Sequence, residues 1–96
     1  METYFLDPKT FLGRVVVSDA IQEIVHLSLL AGNEVPRYEK NVHTTIFIIK
    51  GNVTLHTDKT SQELSEYQLA RLEPNCAHWM VADSDCQILI IKTKGC

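Results

Sequence analysis

Apolar residues gather in short runs rich in β-branched and aromatic side chains, and small polar residues separate the runs. "RVVV" (Arg14 to Val17), "TIFII" (Thr45 to Ile49), "VTLHT" (Val53 to Thr57), "LARLE" (Leu69 to Glu73), "HWMVA" (His78 to Ala82) and "QILIIKT" (Gln87 to Thr93) are the clearest. Runs of this length and composition predict half-buried strands. The punctuation between them is Gly13, Gly32, "KGN" at 50–52, "TDKTSQ" at 57–62 and "ADSD" at 82–85, residue types that favour tight turns. A strand about every ten residues is the spacing of an all-β sandwich or barrel.

One segment reads two ways. In "SDAIQEIVHLSLLAG", Ser18 or Asp19 would cap a helix and Gly32 would end it, with Ile21, Ile24, Val25 and Leu29 on one helical face. Read as a strand, the same residues place Val25, Leu27 and Leu29 on one side and Ile24, His26 and Ser28 on the other.

At 96 residues the chain has the size of one domain, 1–96, with a single core. Its 45% hydrophobic and 22% charged residues are those of a globular protein. A net charge of -3 and basic residues scattered from Lys9 to Lys94 argue against nucleic acid as a partner. The longest apolar run, Ile46 to Ile49, is far short of the roughly 20 residues that span a bilayer, and "METYFLDPK" has no basic start before an apolar stretch. A soluble, cytoplasmic protein without a membrane partner is expected. Cys76, Cys86 and Cys96 form no CxxC pair and read as free thiols. The first dozen residues carry Tyr4, Phe5, Phe11 and Leu12, too much apolar surface for a loose tail, so 1–12 is expected to be ordered over a barrel face or a partner subunit.

The stretch from Gly32 to Gly51 is more specific. Five residues follow Gly32 before Tyr38, one more precedes Lys40, three separate Lys40 from Thr44, and six lead to Gly51. This frame resembles the first motif of the cupin family, small jelly-roll barrels in which the three inner positions are His, His and Glu. Further on, "LSEYQLARLEPNCAHWM" resembles the second cupin motif, with Tyr67 and Gln68 in the places of a Gly-Asp turn, Glu73-Pro74-Asn75 across the next turn, and His78 in the place of the third His. The resemblance covers roughly residues 24 to 92. It implies an antiparallel jelly-roll β-barrel with at most a turn or two of helix, and it favours the strand reading of "EIVHLSLLAG". It also implies that Tyr38, Lys40, Thr44 and His78 meet in the lumen.

With Thr44 facing inward, Ile46 and Ile48 follow it toward the lumen, while Thr45, Phe47 and Ile49 face out. Phe47, Ile49 and Trp79 on outer faces, with the apolar 1–12 segment, predict a homodimer. The inner set is a poor metal centre. A catalytic site needs about three convergent His or carboxylate ligands, whereas here a phenol, an ammonium and a hydroxyl replace two imidazoles and a carboxylate. No cofactor is expected; His43, turned inward by a bulge beside His78, is the fallback metal pair. A phenol, an ammonium, a hydroxyl and an imidazole instead suit a small polar or anionic ligand. Two other readings stay open: a cupin enzyme (isomerase, lyase or dioxygenase-like) using metal or acid/base chemistry at Tyr38 or His78, and a structural dimer module. His26 and His56 read as outward or rim residues.

Overall fold

The computed structural model describes residues 1–94; Gly95 and Cys96, the last of the three expected thiols, lie outside them. Among these residues nine strands follow one another: β1 (Leu12–Ser18), β2 (Gln22–Leu29), β3 (Glu34–Tyr38), β4 (His43–Lys50), β5 (Val53–Thr57), β6 (Ser61–Leu64), β7 (Leu69–Leu72), β8 (His78–Ala82) and β9 (Cys86–Thr93). There is no helix among the described residues. A five-stranded sheet, in the order β1-β2-β9-β4-β7, faces a four-stranded sheet, β3-β8-β5-β6, and every pairing is antiparallel. This is the jelly roll that the strand spacing and the cupin resemblance implied.

The doubtful segment is β2, and its helical signals find other uses. The Asp19 carboxylate accepts from the backbone N–H groups of Ile21 (2.8 Å) and Gln22 (2.9 Å), closing the turn between β1 and β2 where a helix start was conceivable. β2 then pairs on both flanks, with β1 and with β9, and two ladders of backbone hydrogen bonds outweigh a local helical preference. Two strands escaped the sequence pattern. β3 contains Pro36, tolerated because β3 is an edge strand whose register breaks between Val35 and Tyr38. β6 is mostly polar, and it takes Ser61 and Gln62 from the expected turn at 57–62.

Alternation along the strands builds the core. Thr44, Ile46 and Ile48 of β4 point between the sheets, and through the register they meet Ile90 and Ile88 of β9 and then Val25 and Leu27 of β2. From the other sheet come Val53 and Leu55 of β5, Leu64 of β6, and Met80 and Ala82 of β8. Cys86 belongs to this core, and burial raises its thiol above the ordinary range, consistent with an inert packing residue. Phe47 and Ile49 fall on the outer face of the larger sheet, half-buried.

The segment before β1 is held over that face. The Pro8 carbonyl accepts from the Ser28 hydroxyl (3.3 Å) and the Gln87 amide (3.4 Å), and Gln87 also donates to Ser28 (2.7 Å). His26 lies on the outward side of β2, as its position in the alternation implies, but it is buried at 1% exposure and its Nε2 donates to Gln87 Oε1 at 2.6 Å. It is therefore a hydrogen-bonded structural residue beside the N-terminal strap.

The two ends of the barrel differ. At one end the β4–β5 and β8–β9 connections cross, tied by Asn52 N–H to Ser84 Oγ (3.0 Å) and Asp83 N–H to the Asn52 carbonyl (3.0 Å). At the other end lie the 39–42, 58–60 and 73–77 connections, the first and last joined by the Asn75 N–H to the Lys40 carbonyl at 2.9 Å. On the outside of the smaller sheet Arg37 makes a two-bonded pair with Asp58, at 2.7 and 3.0 Å, which fastens β3 to the β5–β6 turn.

Two carboxyls titrate below their ordinary range for visible reasons. Backbone N–H groups of Gln22 and Ile21 hold down Asp19, and the Arg37 hydrogen bonds hold down Asp58. A depressed carboxyl contributes stability that is present above its unfolded value, about 3.9 for Asp, and that is lost as pH falls through the lower folded value. Both groups are fully exposed, so the contribution is small. Acid titration of the unfolding midpoint should show stability falling below about pH 4, and Asp19→Asn with Asp58→Asn should flatten that fall. An unchanged acid limb in the double variant would contradict this.

Candidate functional site

The open end of the barrel collects the polar inward residues. On the larger sheet one register row runs Glu23 (β2), Lys92 (β9), Thr44 (β4) and Leu72 (β7). On the smaller sheet the matching row runs Tyr38 (β3), His78 (β8) and Thr57 (β5). Below these rows the interior is filled with aliphatic side chains: Ile46, Ile48, Val53 and Ile88 have no exposure at all. The candidate site is thus a polar mouth on a packed barrel.

Across the mouth the two sheets touch through charge and aromatic contacts. Lys92 Nζ sits 4.3 Å from the centre of the Tyr38 ring, and that ring lies 5.6 Å from the His78 ring, tilted by 55°. An ammonium over a phenol face is worth about 0.5 to 2 kcal/mol, depending on how dry it is. Lys92 also pairs with Glu23 at 3.4 Å; the two side chains are 20% and 31% exposed. A pair open to water to that extent contributes about 1 kcal/mol at most, so Lys92 can be drawn off by a ligand anion at low cost.

His78 is 6% exposed, and its Nδ1 donates to the Cys76 carbonyl at 3.1 Å. With the proton of the neutral ring on Nδ1, Nε2 is left as an acceptor. Thr44, 2% exposed, closes the floor. Among the described residues, neither Tyr38 Oη, Thr44 Oγ1 nor His78 Nε2 has a side-chain hydrogen bond, and no buried side-chain oxygen or nitrogen lacks a partner. Among the described residues the three groups are therefore open to water and unspent on other side chains.

Of the four residues assigned by the cupin frame, Tyr38, Thr44 and His78 meet at the mouth, and Lys40 does not join them. β3 ends at Tyr38, so the two-residue alternation that would have carried Lys40 inward is broken, and Lys40 is exposed on the rim loop. Lys92 stands where a lumen cation was expected, with Glu23 as its counter-ion; neither was singled out from the sequence. Continuing the inward alternation Ile88, Ile90 by one more step reaches Lys92, and that signal was available.

A metal of the kind found in cupins does not fit these residues. Among the described residues no three His, Cys, Asp or Glu side chains come together, and Lys92 brings a positive charge to the mouth. The fallback pair of His43 and His78 is not assembled. β4 pairs with β9 regularly from His43 to Ile48, so Thr44 faces in and His43 faces the other way; the irregularity comes later, between Ile48 and Lys50.

A groove of about 630 Å3 lies elsewhere, on the outside of the smaller sheet between Glu34, Arg37, His56, Trp79 and Val81. There Trp79 is flanked by the stacked His56 ring (5.6 Å, 12°) from β5 and by the Arg37 guanidinium (5.7 Å) from β3. This ladder ties β3, β8 and β5 together on that face.

Comparison with known proteins adds the fold. No protein-family profile matches the sequence, and no curated protein is similar to it at a significant level. Solved structures match closely in shape. A conserved protein of unknown function from Streptococcus pyogenes superposes with a TM-score of 0.85 at 20% identity, over 99% of this chain and 90% of that one. A cupin superfamily protein from Desulfitobacterium hafniense gives 0.84 at 16% identity, over 99% and 84%. An RmlC-like cupin with a double-stranded β-helix fold from Methanocaldococcus jannaschii gives 0.78 at 21% identity, over 95% and 86%. Among the described residues no helix is long and apolar enough to cross a membrane. Nine antiparallel strands in two facing sheets, a polar mouth built from the two motif regions and these shared shapes identify the chain as a small protein of the cupin fold.

Proposed function

We propose that the mouth binds a small polar molecule carrying an anionic group, without a resident metal. Lys92 takes the anionic group, leaving Glu23, while Tyr38, Thr44 and His78 hydrogen-bond the rest of the molecule. The observation that carries this reading is the convergence of three unspent hydrogen-bonding groups beside a loosely paired ammonium, in the place where cupins hold a metal. The frame has stayed and the donor set has changed from metal ligands to groups suited to an organic ligand.

A thermal-shift panel of sugar acids, phosphates and amino acids should contain a stabilising ligand. Lys92→Met and His78→Ala should each weaken its binding tenfold or more, which is about 1.4 kcal/mol. Protein purified without a histidine tag should carry well under one equivalent of zinc, iron, nickel or manganese, and chelator should leave its melting temperature unchanged. Stoichiometric metal that survives dialysis and disappears in His78→Ala would overturn the proposal and favour a metal-dependent enzyme.

The apolar N-terminal segment favours a second reading alongside the first, a homodimer. Phe5 and Phe11 are 76% and 81% exposed although the strap that carries them is pinned at Pro8. A second copy of the chain is the partner we propose for them.

A further inference from the structure

Between β6 and β7 the sandwich is open. Among the described residues β6 pairs only with β5 and β7 only with β4, so two unpaired strand edges face each other across a seam, and a crevice of about 300 Å3 runs along it. Its inner wall is aliphatic, made by Leu55, Leu64, Ala70 and Leu72, the inward residues of β5, β6 and β7. Its rim is polar. Among the described residues Arg71 is the single charged residue along the crevice, and it forms no ion pair with them.

An aliphatic slot, of the lower size typical for small-ligand sites, with at its edge one Arg that has no ion pair among the described residues, is complementary to a molecule with an apolar tail and one acidic head. A guanidinium presents a fork of donors that matches a carboxylate through two parallel bonds. A neutral amphiphile would fill the slot and leave the fork unused, and a short acid would use the fork and leave the slot empty. We infer that the β6–β7 seam is a second ligand site, separate from the mouth, that takes a medium-length alkyl monocarboxylate with its chain against Leu55, Leu64, Ala70 and Leu72 and its head on Arg71.

The site does not depend on the mouth proposal, because Tyr38, His78 and Lys92 are not part of its lining. The test is a titration of the full chain with octanoate, octanol and acetate, followed by two-dimensional amide NMR. Octanoate should shift amides of β6 and β7 and bind at least tenfold more tightly than octanol, while acetate should give no saturable shift. Arg71→Gln, a change at an exposed residue, should bring octanoate down to the affinity of octanol. Gln62→Trp, also at an exposed position on the rim, should block both ligands while the melting temperature is retained. Octanoate shifts confined to the mouth around Tyr38, His78 and Lys92 would overturn the seam site. So would equal binding of octanoate and octanol in the wild type, or octanoate affinity unchanged in both variants.

Discussion

Gly51→Ala should cost about 3 kcal/mol or more and leave much of the protein unfolded or aggregated at growth temperature. The residue has a φ of +86°, in the left-handed region where a side chain alone costs roughly 1 to 2 kcal/mol. A second penalty is steric. A Cβ built there would lie 2.3 Å from the Asp85 carbonyl oxygen, 2.7 Å from Cys86 Cβ and 2.9 Å from Cys86 Cα. These are backbone and near-backbone atoms, which cannot swing aside. The contact exists because the β4–β5 and β8–β9 connections both pass from one sheet to the other at this end, and they cross at Gly51. Gly32 is the control. Its φ is +88°, but nothing lies within 4 Å of a Cβ placed on it, so Gly32→Ala should cost only the conformational share, about 1 to 2 kcal/mol. Urea unfolding of the two variants measures the difference; equal losses would show that the crossing is loose enough to absorb a methyl group.

The two glycines that frame the first motif therefore do different work, and only the larger context separates them. Sequence spacing alone marked both as equal. The same limit explains what else was and was not legible. Strands with a dense apolar face, such as β4, β5, β8 and β9, announce themselves because their burial pattern is written in the residues. β3 and β6 are edge strands; an edge strand needs less apolar surface, tolerates Pro36 and reads as a loop.

At the site, Tyr38, Thr44 and His78 were legible because the cupin frame fixes their strands and their phase. Lys40 was misleading for a local reason: the strand stops two residues earlier than the alternation requires. Lys92 lies outside both motifs, although its phase follows from Ile88 and Ile90 on its own strand. Tyr67 shows the reverse case. It fills the glycine place of the second motif and adopts a φ of +68°, so the turn geometry is kept by a residue that pays strain for it. Backbone frame and side-chain chemistry can thus diverge at the same positions, which is why the fold is more readable in the sequence than the chemistry of the mouth.

Replacing Phe5 and Phe11 together by Ser should separate two copies of the chain while leaving each copy as stable as before. In a single chain both rings are largely in water, at 76% and 81% exposure, and surface changes of this kind normally move stability by no more than about 0.5 kcal/mol. In a twofold dimer each ring is used twice, so four rings leave water on assembly. At roughly 1.5 to 3 kcal/mol for each ring fully buried, even half of the full burial gives about 3 to 6 kcal/mol. Every 1.4 kcal/mol is tenfold in affinity, so the dissociation constant should rise at least a hundredfold. Sedimentation velocity of wild type and variant across a micromolar range reads this directly, and urea unfolding of the variant checks that the barrel is intact. The strap itself stays anchored, because the Pro8 contacts to Ser28 and Gln87 are untouched by either change. A wild type that sediments as a monomer at high micromolar concentration would remove the second copy as the partner of this segment. An unfolded variant would show instead that the rings belong to the fold of one chain, against their exposure.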